Sequence, residues 1–165
     1  MSGWLCKAMS LSDLIAILSF LGAVLAAVYA RWASLEAKRA NDLAVHSNKI
    51  EIYKAFRALH FSVLEKATSI EHTDVARFYH PSQEAEFYFS SPETAEKVMA
   101  YFKLCFQLAE TKRKLSRSHL TQEQIEELQL EQDKIFEEES RLSSDVERLL
   151  KSEIHGAVKK RGFIT

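Results

Sequence analysis

Hydrophobic and polar positions along this chain fall into three regimes: a solid apolar block, a helical stripe, and a long interrupted heptad. The block comes first. From Leu14 to Ala30 there is no charge and no proline, and only Ser19 and the Tyr29 hydroxyl break its apolar character. It covers about 17 residues, or about 23 with its flanks from Leu11 to Ala33, and a bilayer core of about 30 Å needs roughly 20 residues of helix. A core helix of a small soluble protein would show a polar face, and this block shows none. A secretory signal would carry a basic leader and a shorter apolar region. Here only Lys7 precedes the block, whereas Arg31, Lys38 and Arg39 follow it. That asymmetry puts the following chain in the cytoplasm. The sequence thus predicts a single-pass protein of the inner (cytoplasmic) membrane. Residues 1–10 form a short external N-terminus, 11–33 a transmembrane helix, 34–158 a cytosolic helical domain, and 159–165 a basic tail. Trp4 on one side and Tyr29 with Trp32 on the other fit aromatic interface anchors.

Between Gly22 and Pro81 there is neither Gly nor Pro, so the span can continue straight into a cytosolic helix. Asn41-Asp42 and Ser47-Asn48 are the candidate breaks. Ile52, Phe56, Leu59, Val63 and Ile70, widened by Ile50, Tyr53 and Leu64, recur at helical spacing and predict an amphipathic helix ending near Ile70. In the irregular middle, Thr73-Asp74 is expected to cap a short helix VARFYH stopped by Pro81, and Ser82 to cap QEAEFYF. Ser91-Pro92-Glu93 marks a helix start. That helix is expected to bury Val98, Phe102, Cys105, Phe106 and Ala109 and to end near Ser116. Thr121 and Gln124 match a capping box. The helix after it, to about Val158, repeats Leu128, Ile135, Leu142 and Leu149 every seventh residue. Gln132 and Glu139 interrupt the other half of that heptad, which reads as a bundle helix or a weak coiled-coil seam. The Glu137-Glu138-Glu139 run reads as a solvated face. The fold class is all-α: one N-terminal transmembrane helix followed by a cytosolic helical bundle with long helices.

Composition narrows the function classes. Of 165 residues only four are Gly and two Pro, and the net charge is −1. Scarce helix breakers favour an all-α chain, and a balanced charge argues against bulk nucleic-acid binding. Cys6 and Cys105 lie on opposite sides of the proposed membrane, so Cys105 is expected to pack as a small buried apolar residue. No glycine-rich phosphate loop, HExxH, CxxC or GxSxG is present. His72-Thr73-Asp74 lacks a third ligand at metal spacing, and His60 reads as a packed core histidine. The chain is therefore read as non-enzymatic, with no metal and no cofactor.

Two features remain for binding. Arg77, Tyr79 and His80 sit among Phe78, Phe87, Tyr88 and Phe89, where a flat ring could stack. Lys112 and Arg113 could meet an anion or a nucleotide. Each has a plainer explanation, since aromatics plug bundle ends and cations suit a helix C-terminus. In the span, Gly22, Ala26 and Ala30 form one row spaced by four, and Ser19, Ala23 and Ala27 another. Rows of small residues let helices pack closely in lipid, so these six residues are assigned to homo-oligomerisation.

The segments His46-Ser47-Asn48-Lys49-Ile50-Glu51-Ile52-Tyr53 and Glu84-Ala85-Glu86-Phe87-Tyr88-Phe89 resemble motifs of small bacterial single-span membrane proteins with a cytosolic helical domain. The family's Leu-Asp-Leu-Phe lead-in is replaced here by Leu43-Ala44-Val45-His46. The resemblance implies a membrane-anchored helical module and no particular activity. The format also resembles membrane effectors of bacterial phage defence, a likeness of architecture alone. Two functions follow. One is a self-associating module that couples binding of a small nucleotide or a protein partner to its span, as a signal-gated, membrane-disrupting effector. The other is a membrane-tethered scaffold that holds a partner through the long last helix.

Overall fold

The computed structural model describes residues 11–161 apart from residue 118, and the side chains of 68 and 157–161 lie outside that description. Trp4, Cys6 and Lys7, with the expected external segment 1–10, also fall outside the described residues, as do residues 162–165 of the basic tail. The protein is all-α, and no strand occurs among the described residues. Its helices are α1 (Leu11–Lys66), α2 (His72–Ala76), α3 (Tyr79–Tyr88), α4 (Pro92–Leu115) and α5 (Gln122–Arg161), with a 3-10 turn over Ala67–Ser69.

The chain divides into two compact units, Met1–Leu43 and Ala44–Thr165. In the first, α1 presents Ile15, Phe20, Leu25 and Val28 to the exterior. Among the described residues α1 is the helix long and apolar enough to cross a membrane. No break occurs at Asn41-Asp42 or at Ser47-Asn48, and α1 passes through both pairs. Polar residues of that kind cost a helix less than about 0.7 kcal/mol each, and no Gly or Pro adds to them.

In the second unit, Ile52, Phe56, Leu59 and Val63 of α1 are all buried, as their spacing predicts. Fully burying such a side chain stabilises by about 1.5–3 kcal/mol. Ile70 is buried as well, although it lies beyond the helix. The helix stops at Lys66 because Ala67 takes a left-handed conformation, with φ of 47°. Leu64, read as part of the stripe, is exposed. A helix turns about 100° per residue, which carries position 64 round to the outer side.

The middle of the chain corrects two expectations. Glu71, not Thr73-Asp74, caps α2, with a reciprocal capping box between Glu71 and Asp74. Pro81 does not stop a helix but sits in the first turn of α3, where its missing N–H would have no intrahelical partner anyway. Ser82 lies inside α3, buried, and its hydroxyl donates to the Tyr79 carbonyl at 2.7 Å. Beyond this segment the helix signals hold. Ser91 is the N-cap residue of α4 with Pro92 in its first turn, and Ser116 follows its end. The Thr121–Gln124 capping box is present in both directions, at 3.0 and 3.3 Å. Helix α5 continues to Arg161, three residues past the expected end, because Lys and Arg are good helix formers.

Helix α5 lies antiparallel to both neighbours. Along α1, Lys49 meets Glu153, Arg57 meets Glu147, and His60 meets Glu139. Along α4, Lys97 meets Asp145 and Tyr101 meets Glu139. The core between them is built from Phe56, Phe78, Val98, Tyr101, Cys105, Leu108, Val146 and Leu150. Phe106, expected in this core, lies outside it and is about half exposed, while Tyr101, Leu104 and Leu108 take the inner face of α4.

Candidate functional site

The most unusual chemistry of the second unit lies inside that core. Glu139 of α5 is only 1 % exposed. Its Oε1 accepts the Tyr101 hydroxyl at 2.7 Å, and His60 Nδ1 lies 3.2 Å away. The Tyr101 hydroxyl is 3.4 Å from the same histidine nitrogen. Aromatic packing holds the group in place. The Phe56 and His60 rings stack at 5.9 Å, and Phe56 meets Tyr101 edge-on at 5.0 Å. This overturns the reading of Glu137-Glu138-Glu139 as one solvated face. Glu137 and Glu138 are exposed, but position 139 falls on the inner half of the heptad with Gln132 and Val146, and all three are buried. His60 is half-buried at the edge of the core, with its ring stacked on Phe56.

Cys105 lies one helical turn beyond Tyr101 and is fully buried. Burial first, then the negative Glu139, push its thiol up to about 12. The Tyr101 phenol is also pushed well above its usual range, mainly by burial and further by Cys105 and Glu139. A thiol held protonated is a poor nucleophile, so this cluster is a packed polar network with no activated nucleophile. An unfolded thiol loses its proton near pH 9 and the folded one only near 12, so the contribution of this thiol to stability is complete below pH 9 and is lost as the pH rises from 9 to 12. We expect thermal melts to show that alkaline decline. We also expect peptide-resolved thiol labelling at pH 8 to leave Cys105 unmodified until the unit unfolds. Rapid labelling of the native protein would contradict its burial.

A second polar group closes the other end of the same interface. Lys49, 5 % exposed, pairs with Glu153 at 3.0 Å, and its ammonium lies 5.3 Å from the Phe89 ring centroid. The other Glu153 oxygen accepts the Ser91 backbone N–H at 3.1 Å. One ion pair thus ties α1, α5 and the start of α4 together.

The residues singled out for ligand binding are distributed as follows. Arg77 is exposed and lines a small cavity of about 90 Å³ with Ser62, Asp74 and Phe78. Asp74 in that wall is held below the usual carboxylate range, first by its hydrogen bond from Lys66. Tyr79 and His80 lie on the outer side, with rings 5.3 Å apart, and Tyr79 also meets Phe102 at 5.5 Å. Lys112 donates to the Ser69 carbonyl at 2.7 Å, and Arg113 donates to Glu110 at 2.7 Å. Tyr79 and His80 are therefore ring neighbours, Arg77 lines a separate cavity against α1, and Lys112 and Arg113 hold partners within the chain. A larger groove of about 490 Å³ runs between α3 and α4, lined by Gln83, Glu86, Glu96, Met99 and Lys103 among others. None of the five singled-out residues lines it. Among the described residues no group of three or more His, Cys, Asp or Glu could hold a metal ion.

In the first unit, Ser19, Gly22, Ala23, Ala26, Ala27 and Ala30 are all exposed along α1. A Cβ added at Gly22 would meet nothing within 4 Å. No protein-family model matches this chain, and neither a curated protein nor a solved structure matches it.

Proposed function

We propose that this protein is a non-enzymatic, membrane-anchored helical module that self-associates through its span and couples binding of a cytosolic ligand or partner to that span. One observation carries the reading. The apolar segment and the amphipathic segment of the second unit belong to a single helix, Leu11–Lys66, and this helix is the proposed route from the seating of residues 44–66 to the span. The aromatic neighbours Tyr79 and His80 with Arg77, and the cations Lys112 and Arg113, are the proposed ligand contacts. A small nucleotide is the ligand class that suits aromatic stacking beside positive charge. The orientation proposed is N-terminus outside and second unit in the cytoplasm, in the inner membrane. The fullest form of the proposal is a signal-gated, membrane-disrupting effector of bacterial phage defence. The scaffold reading rests on the heptad Leu128, Ile135, Leu142 and Leu149 of α5, whose half-buried side chains leave apolar surface for a partner helix.

The test is native mass spectrometry of the full-length protein in detergent, with the Gly22→Leu variant beside it. The wild type is expected as a discrete oligomer carrying a co-purified mass of nucleotide size, and Gly22→Leu as smaller species. Since a Cβ added at Gly22 meets nothing within 4 Å, a loss of assembly would report contacts between chains. A monomer in both samples would remove the basis for coupling and favour the scaffold.

A further inference from the structure

Three carboxyl groups of α5 face α1: Glu139 meets His60, Glu147 meets Arg57 and Tyr53, and Glu153 meets Lys49. Each has a second partner that is not on α1. Glu139 accepts the Tyr101 hydroxyl at 2.7 Å, Glu147 pairs with Lys151 at 2.9 Å, and Glu153 accepts the Ser91 N–H at 3.1 Å. Taking α1 away would therefore leave none of these buried or half-buried acids without a partner. The α1 groups Lys49 and His60 would regain water, and Arg57 is exposed already. A seam of paired polar groups holds its two sides less firmly than an apolar seam of similar volume.

The covalent layout agrees. Within the second unit, residues 44–66 are joined to the remainder only at their C-terminal end, through the 3-10 turn that begins at Ala67. Ala67 sits in the left-handed region, which residues other than glycine adopt rarely. Helices α4 and α5 are instead joined by the short segment 116–121, closed by the Thr121–Gln124 box. Across them, Val98, Cys105 and Leu108 pack with Val146 and Leu150 in one buried cluster.

We propose that residues 44–66 form a separately opening unit, able to leave its seat while the α4–α5 hairpin keeps its structure. The burial of Ile52, Phe56, Leu59 and Val63 keeps the closed form dominant, and the doubly partnered acids let the hairpin survive the opening. The inference goes beyond the proposed function and needs neither ligand nor oligomer.

Hydrogen exchange of the full-length protein in detergent, read by mass spectrometry, tests it. Amides of 52–63 are expected to exchange at least about fivefold faster than those of 101–109 and 142–150, as sub-global opening requires. A smaller ratio means that α1 opens only with the whole unit and overturns the proposal. The variant His60→Leu/Tyr101→Phe/Glu139→Leu replaces the central polar group by apolar side chains. It is expected to bring the ratio below that threshold, and an unchanged ratio would refute the assignment of the opening to this seam. Because the wild-type ratio is read within one chain, its failure is distinguishable from a failure of self-association.

Discussion

Phe56→Ala is expected to lower the stability of the second unit by about 3–5 kcal/mol, the usual cost of emptying a fully buried aromatic site. Phe56 is 0 % exposed. Its ring lies 5.0 Å from Tyr101, 5.9 Å from His60 and 6.4 Å from Phe78, so one deletion loosens α1, α4 and the turn between α2 and α3 together. Each kcal/mol shifts the midpoint of a unit this size by about 4 °C, which gives a fall of about 12–20 °C in a thermal melt followed by circular dichroism. Phe61→Ala is the control. Phe61 lies on the same helix but is 65 % exposed, and its removal is expected to change stability by no more than about 0.5 kcal/mol. Equal effects at the two positions would mean that α1 does not seat on the face described.

Glu139→Ala is expected to be almost as damaging, at about 3–5 kcal/mol, for a different reason. It leaves the buried Tyr101 hydroxyl without its acceptor at 2.7 Å and His60 without its carboxyl partner. An unpaired buried polar group bears the whole of its desolvation penalty. The cost should thus vanish when every member is replaced. The His60→Leu/Tyr101→Phe/Glu139→Leu protein is expected to match the wild type or exceed it by about 1–4 kcal/mol in denaturant titration. Such an outcome would separate the cluster's role in fixing helix register from any role in raising stability. If the triple variant were as unstable as Glu139→Ala, the cluster would be a net stabiliser, and the argument from desolvation would fail.

Much of this protein is decided by local pattern. An uncharged block of about 17 residues needs no tertiary contact to be long and apolar enough for a bilayer, because the bilayer itself sets the length. The buried stripe of α1 and both strong helix starts, Ser91-Pro92 and Thr121 with Gln124, are likewise local: each rests on a 3.6-residue period or on the capping of free N–H groups. Other features depend on which faces meet. Pro81 looks like a stop signal until the chain before it turns and lets α3 begin two residues earlier. Leu64 and Phe106 are apolar yet lie outside the core, since a period marks a face without saying how much of it a neighbour covers. Glu139 is the clearest case. In sequence it is one of three consecutive acids, and only its place in the heptad with Gln132 and Val146 hints at burial. What makes it part of the core is the arrival of His60 from α1 and Tyr101 from α4, from 79 and 38 residues away along the chain. Periodicity and capping residues determined the long helices, and apolar length alone determined the helix able to cross a membrane. The tertiary structure decided which polar groups meet inside, because a buried carboxyl group is tolerable only where partners from other helices converge on it.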